Sequence, residues 1–281
     1  MNRRQKQLEY RRWLESQGRA SLRSEVTDEE VIRAIKSVPE HFAPITEVFS
    51  TSAVSSDSGG SVTTPTSGID SSTSGFVAVA VSDYAGASLG TVLSRDAHGP
   101  TALTSYTDGA SVCRSTIYYF ANYSGRANDY WQYSGGTTFP SIAVIGFSAV
   151  VTSSPYDSGT NHGAGNTGLT NLQTGSASPS QGGDVLLAAL AVNSGASDTY
   201  TIDSSFHIQE HQANVAANAL GITFAYLIQT SASAVNPKFS WQTSQGAAAT
   251  IAAFKAASPP AGGTGAPILS GGILQSSIVR W

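Results

Sequence analysis

Between Phe76 and Lys255 the chain runs in short apolar stretches separated by Ser, Thr, Gly and Asn. Most of these stretches alternate apolar with polar or are apolar throughout, and they are too short and too rich in Val, Ile, Phe and Tyr for helices. The pattern predicts about twelve strands: FVAVAVS, LGTVLSR, ALTSY, VCRSTIYYFAN, DYWQYS and SIAVIGFSAVV, then DVLLAALAV, DTYTI, FHIQEH, LGITFAYLIQT, KFSWQT and AATIAAFK. Strands at this spacing imply a mainly β fold, a two-sheet antiparallel β-sandwich or jelly roll over residues 76–256.

The order of these elements occurs twice. Phe76 and Val185 open the two sets 109 residues apart (185 − 76), and Trp131 and Trp241 are 110 apart (241 − 131). Ala143 and Ala253, in the closing strands, are also 110 apart (253 − 143). Two units that each expose an apolar face would bury them against each other as sheets about 10 Å apart. Common β periodicity generates similar strand sets too, so an internal repeat and chance texture both stay open at this point.

The flanks are different material. TDEEVIRAIKSVP carries a capping box in Thr27 and Glu30, an apolar stripe in Val31, Ile35 and Val38, and a stop at Pro39, so a helix is expected there. Residues 50–75 are rich in Ser, Thr and Gly and read as a linker or an extended arm. The region 257–281 opens on a Pro/Gly linker and ends in the aliphatic pairs Ile268-Leu269, Ile273-Leu274 and Ile278-Val279, then Trp281. A spacing of five turns a helix by about 140° and inverts the face of a strand, so neither element would align the pairs. An extended docking arm is the expectation.

Charge locates the boundary between these materials. Residues 1–49, read as a helical anchor segment, hold 9 of the 15 basic and 8 of the 19 acidic residues, and Glu210 is the only glutamate after them. The basic stretch 1–23 also contains Leu8, Trp13 and Leu14, which suit docking to a protein better than to nucleic acid. Its start has no apolar core behind the basic residues, so no secretory signal is expected and synthesis in the cytoplasm follows. The longest apolar runs, VLLAALAV and IAVIGF, are too short to cross a bilayer, and no membrane insertion is expected. The single cysteine, Cys113, sits in an alternating strand and reads as a buried structural thiol.

Candidate chemistry changes little. VTDEEVIRAIKSVPEHFAP resembles the opening helix of protein-isoaspartate methyltransferases, but no glycine-rich strand-to-helix turn follows it. His207, Glu210 and His211 spell H-x-x-E-H, which on a helix would aim two histidines at zinc. Here Phe206 and Ile208 alternate with His207 and Gln209 as on a strand, where Glu210 would face away from both histidines, and no carboxylate follows to complete a site. GAGNTG, Gly163 to Gly168, formally matches a dinucleotide fingerprint but lies in what reads as loop sequence. The aspartates occupy turn settings, and neither a G-x-S-x-G elbow nor a D-x-D-x-D-G run occurs. No cofactor, metal or enzymatic activity is expected.

The strand order FVAVAVS, VCRSTIYYFANYSG, DYWQYSG, SIAVIGFSAV, GDVLLAALAVNSG, FAYLIQT, FSWQTSQ and AATIAAFKAA resembles a β-sandwich module of virion-associated structural proteins of tailed bacteriophages. The resemblance implies a capsid decoration, head-fibre or tail accessory role, localisation in the virion, other virion proteins as partners and a homo-oligomer. The remaining alternative is a carbohydrate-binding, host-adhesion module. Residues 152–183 lack strand periodicity and read as a long loop, in which Tyr156, Asn161, His162 and Asn171 are the candidates for binding a host surface glycan.

Overall fold

The computed structural model describes residues 44–55, 60–135, 139–193, 198–213 and 220–257. These described residues form fifteen strands and no helix. In chain order they are β1 (Thr46–Val54), β2 (Ser61–Thr63), β3 (Phe76–Tyr84), β4 (Thr91–Ser94), β5 (Thr101–Ala102), β6 (Tyr106–Thr107), β7 (Cys113–Ala121) and β8 (Trp131–Ser134). They continue with β9 (Ser141–Ser148), β10 (His162–Gln173), β11 (Val185–Val192), β12 (Thr201–Ile202), β13 (His207–Gln212), β14 (Gly221–Ile228) and β15 (Lys238–Phe254). The expected helix at 27–39 and the arm at 267–281 lie outside the described residues.

Two six-stranded antiparallel sheets carry the fold. The first runs β1-β9-β3-β7-β5, with β6 also on β7; the second runs β10-β15-β11-β14-β13, with β12 also on β15. The wiring is the same in both: the first long strand pairs with the last, the last with the second, and the second with the third. Each sheet comes from one contiguous half of the chain. A smaller sheet, β2-β8-β4, accompanies the first. In the second half its place is taken by pairing within the long strands, where Leu172 and Ile202 both lie opposite Phe239 of β15.

The near-continuous apolar runs of β3 and β11 have a direct cause, for both are central strands covered on two faces. Phe76, Ala78 and Ala80 point inward and meet Val185, Leu187 and Ala189 of the other sheet in one core, with Phe147, Phe224 and Phe254 around them. Val77, Val79 and Val81 point outward beneath Trp131, Tyr133, Val62 and Val92 of the small sheet. In the second half Leu186, Ala188 and Leu190 point outward beneath Phe239 and Trp241. A sandwich-like all-β stack results, and every face of the central strands is closed within it.

The pairing registers correct the repeat read from the sequence. Phe76 lies opposite Phe147 and Val185 lies opposite Phe254, so superposing the central strands matches the closing strands at an offset of 107 (254 − 147). The same frame puts Tyr119, opposite Ala78, on Tyr226, opposite Leu187. The 110-residue match departs from that offset by three (110 − 107), and an odd slip inverts a strand face. Ala143 lies in the inner core while Ala253 faces the outer cluster, so the 110-residue match between them is not structural. Trp131 and Trp241 do both lie in outer clusters.

Three expectations of extent also change. TEVFSTSAV, divided between the helical segment 1–49 and the linker 50–75, is strand β1, and β2 lies in the linker. Its alternation is hidden because the partners are polar: Phe49 stacks on Trp131 at 5.0 Å, whereas Ser50 and Ser52 face β13. β10 runs through the predicted long loop and through GAGNTG; it is a largely exposed edge strand and so has no apolar alternation. Its glycines allow contact with the first half, since a Cβ on Gly165 would stand 1.8 Å from the Thr107 carbonyl oxygen. KFSWQT and AATIAAFK join into the single strand β15.

Two tethers hold the sheets together at their margins. Ser52 Oγ donates to Glu210 Oε2 at 2.6 Å, Gln209 Nε2 to Ser50 Oγ at 3.0 Å and Gln212 Nε2 to Ser52 Oγ at 2.8 Å, which ties β1 to β13. Cys113 of β7 is fully buried against Ala191, Leu220 and Ala248, with its Sγ 3.6 Å from the Ala191 carbonyl oxygen. Burial, and then the nearby Asp108 carboxylate, push its thiol well above the ordinary range.

Candidate functional site

Of the residues singled out for glycan binding, Tyr156, Asn161 and His162 come together, but most of their polar atoms bond within the protein and Asn161 Oδ1 is buried without a partner. The Tyr156 hydroxyl accepts from the Asn161 backbone N–H at 3.0 Å, and its ring packs on Phe254. Asn161 Nδ2 donates to Thr250 Oγ1 at 3.3 Å and lies 3.4 Å from the Ile251 carbonyl oxygen. His162 Nε2 is 2.9 Å from the Gly159 carbonyl oxygen. Asn171 is nine residues further along β10, roughly 30 Å away at strand rise, opposite Ser240. The docking candidates Leu8, Trp13, Leu14, Ile268, Leu269, Ile273, Leu274, Ile278, Val279 and Trp281 lie outside the described residues.

The H-x-x-E-H residues are on strand β13, as alternation predicts, and a bulge between Ile208 and Glu210 interrupts that alternation. Strict alternation would turn Glu210 with neither histidine; the bulge instead brings Gln209, Glu210 and Gln212 all to the serines of β1. His207 packs edge-on against Tyr226, and His211 packs on Tyr200 with its Nδ1 2.9 Å from Thr223 Oγ1. Burial lowers the His211 pKa below its ordinary value. Among the described residues no three His, Cys, Asp or Glu side chains are grouped to hold a metal ion.

The strongest buried charge is structural in placement. Arg114 of β7 donates through Nε to Asp83 Oδ1 at 2.8 Å and through Nη1 to the Ala87 carbonyl at 3.0 Å. Tyr133 of the small sheet donates to the same carboxylate, and Gly90 links Tyr133 to Tyr118. Asp83 is fully buried, and its hydrogen bond and charge raise the Arg114 pKa. The network pins the small sheet to the first large one.

A concave site that the sequence did not reveal lies where β7 leaves the first sheet. A cleft of about 370 Å³, within the range of ligand sites, is lined by His98, Gly99, Thr101, Tyr119, Asn122 and Tyr123, with the backbone of β7 between them. Each element presents its group for a local reason. Thr101 lies opposite Tyr119 across the β5–β7 pair. His98 follows a tight turn in which Ala97 has φ 59°, and Asn122 takes the left-handed region, φ 50°, as the chain leaves β7. The Tyr123 hydroxyl is already committed to Asp129 Oδ2 at 2.7 Å. By contrast, no described residue takes a hydrogen bond from the side chains of His98, Thr101, Tyr119 or Asn122. The sequence signal was present in HGPTA and YYFANYSG, but adjacent Tyr118 and Tyr119 read alike although they face opposite sides of the sheet.

No family model, curated protein or solved structure matches the chain.

Proposed function

We propose that the chain is a structural component of a tailed-bacteriophage virion, a capsid decoration, head-fibre or tail accessory protein without catalytic activity, attached to neighbouring subunits through its terminal segments. We read the β region as a sandwich of two like halves rather than a jelly roll, because each large sheet is drawn from one contiguous stretch of chain. A single contrast carries the functional reading. The inner faces of both sheets are buried against each other, and the outer faces of their central strands lie under caps, so docking falls to chemistry outside them. The sequence supplies it in the apolar pairs from Ile268 to Val279 and in Trp281. The reactive side chains inside the β region serve internal contacts, as those of Arg114, Asp83, Glu210 and His211 show. Such a body suits rigid assembly.

Deletion of residues 267–281 tests this. The shortened chain is expected to keep a cooperative thermal transition and to lose co-sedimentation with particles that the full chain binds. Loss of the transition, or co-sedimentation unchanged by the deletion, would each refute the reading.

A further inference from the structure

We propose that the cleft at the end of β7 is a binding site for a neutral saccharide. The comparison of the two halves is what singles it out. Tyr119 and Tyr226 are equivalent, and each packs edge-on against the equivalent phenylalanine of the opposite sheet: Tyr119 on Phe254 at 5.2 Å, Tyr226 on Phe147 at 5.4 Å. Their cross-strand neighbours differ. His207 stands opposite Tyr226 and lays its imidazole 5.9 Å from that ring, and Glu47 takes the Tyr226 hydroxyl. Thr101 stands opposite Tyr119 and is too short to do the same, and Gly99 beside it has open space where a Cβ would stand. The first half therefore has a cleft where the second has a filled contact.

The lining specifies the ligand class. Asp, Glu, Lys and Arg are absent from it, so no fixed charge is present to pair with a charged ligand. Tyrosine and threonine hydroxyls, an amide and an imidazole each both donate and accept, which is what a ring of vicinal hydroxyls needs. The Tyr119 ring, held by stacking on Phe76 at 6.1 Å and by its edge contact with Phe254, supplies an apolar wall for the C–H side of a pyranose where it lines the cleft. Tyr156, Asn161 and His162 have similar chemistry, but the Tyr156 hydroxyl, Asn161 Nδ2 and His162 Nε2 are already bonded within the fold and Asn161 Oδ1 is buried. This inference stands independently of where the protein is assembled.

Saturation-transfer NMR on the full chain with glucose, galactose, mannose, N-acetylglucosamine, lactose and maltose at millimolar concentration tests it, with N-acetylneuraminic acid as the charged comparison. At least one neutral sugar is expected to bind. His98→Ala and Asn122→Gly, the latter suited to the left-handed backbone, should each weaken binding about tenfold, the worth of one hydrogen bond. Thr101→His, which rebuilds the contact seen at His207, should abolish it, with melting unchanged in all three variants. Binding of none of the neutral sugars, binding of the charged sugar alone, or binding that survives all three substitutions would overturn the proposal.

Discussion

The first half of the β region, residues 46–148, and the second, residues 162–254, share one strand order but solve three local problems differently. Where the first has the pair Asp83 and Arg114 opposite each other on β3 and β7, the second has Val192 opposite Gly221 on β11 and β14. Where the first has Gly146, the offset of 107 places Ala253. Where the first starts its central strand after Gly75, the second starts after Asp184. The wiring tolerates these exchanges because the inner faces, not the strand ends, carry the common core. Shared topology thus leaves the margins free to diverge, and the cleft beside Tyr119 lies at one such margin.

The largest expected effect comes from breaking the feature that the first half alone possesses. Asp83→Ala would leave the Arg114 guanidinium buried without its counter-charge and remove the acceptor of Tyr133. A loss of about 3–5 kcal/mol in urea denaturation is expected, with exchange protection of β4 and β8 falling before that of β11. A loss below about 1 kcal/mol, as for an exposed pair, would show that the network is not what pins the small sheet.

A smaller effect is expected from making the halves more alike. Gly146→Ala gives β9 the residue that β15 carries at Ala253, but a Cβ there would stand 2.0 Å from the Phe49 ring. Phe49 must then leave its stack on Trp131, at an expected cost of about 1–3 kcal/mol. Tryptophan fluorescence together with the melting temperature would report it; an unchanged spectrum would place the Phe49 ring elsewhere.

The smallest effect has the opposite sign. Burial raises the Asp184 carboxyl from its ordinary 3.8 to about 6, and one of its oxygens has no hydrogen-bond partner. The folded state therefore holds this proton more tightly than the unfolded chain does. The stability that Asp184 contributes is present below about pH 4 and lost as pH rises through 6. Asp184→Asn keeps an acceptor for the Ala256 N–H, at 3.2 Å, and removes the charge. It is expected to gain about 1–2 kcal/mol above neutral pH and little at pH 4. Equal gains at both pH values would point to packing rather than ionisation.

These differences also explain what the sequence made legible. The apolar strands β3, β7, β9, β11, β14 and β15 were readable because burial on both faces leaves a dense signal. β1 and β10 were not, since an edge strand whose partners are serines, glutamines and backbone carries none. The repeat was visible in element order but not in register, because Ala143 and Ala253 are the same residue type on opposite faces. The cleft depends on Thr101 and Asn122 meeting Tyr119 across strands, and on the absence of a larger side chain at position 101. Neither is a property of a local window. The bulge at Glu210 was hidden for the same reason, as it answers to Ser52 in a distant strand.

The sealed position of Cys113 has a consequence for the life of the folded molecule. A thiol that neither ionises readily nor meets solvent is a poor substrate for disulfide exchange and for peroxide. The folded β region can therefore pass from a reducing interior to an oxidising medium without Cys113 entering a disulfide, and it needs no redox partner in either.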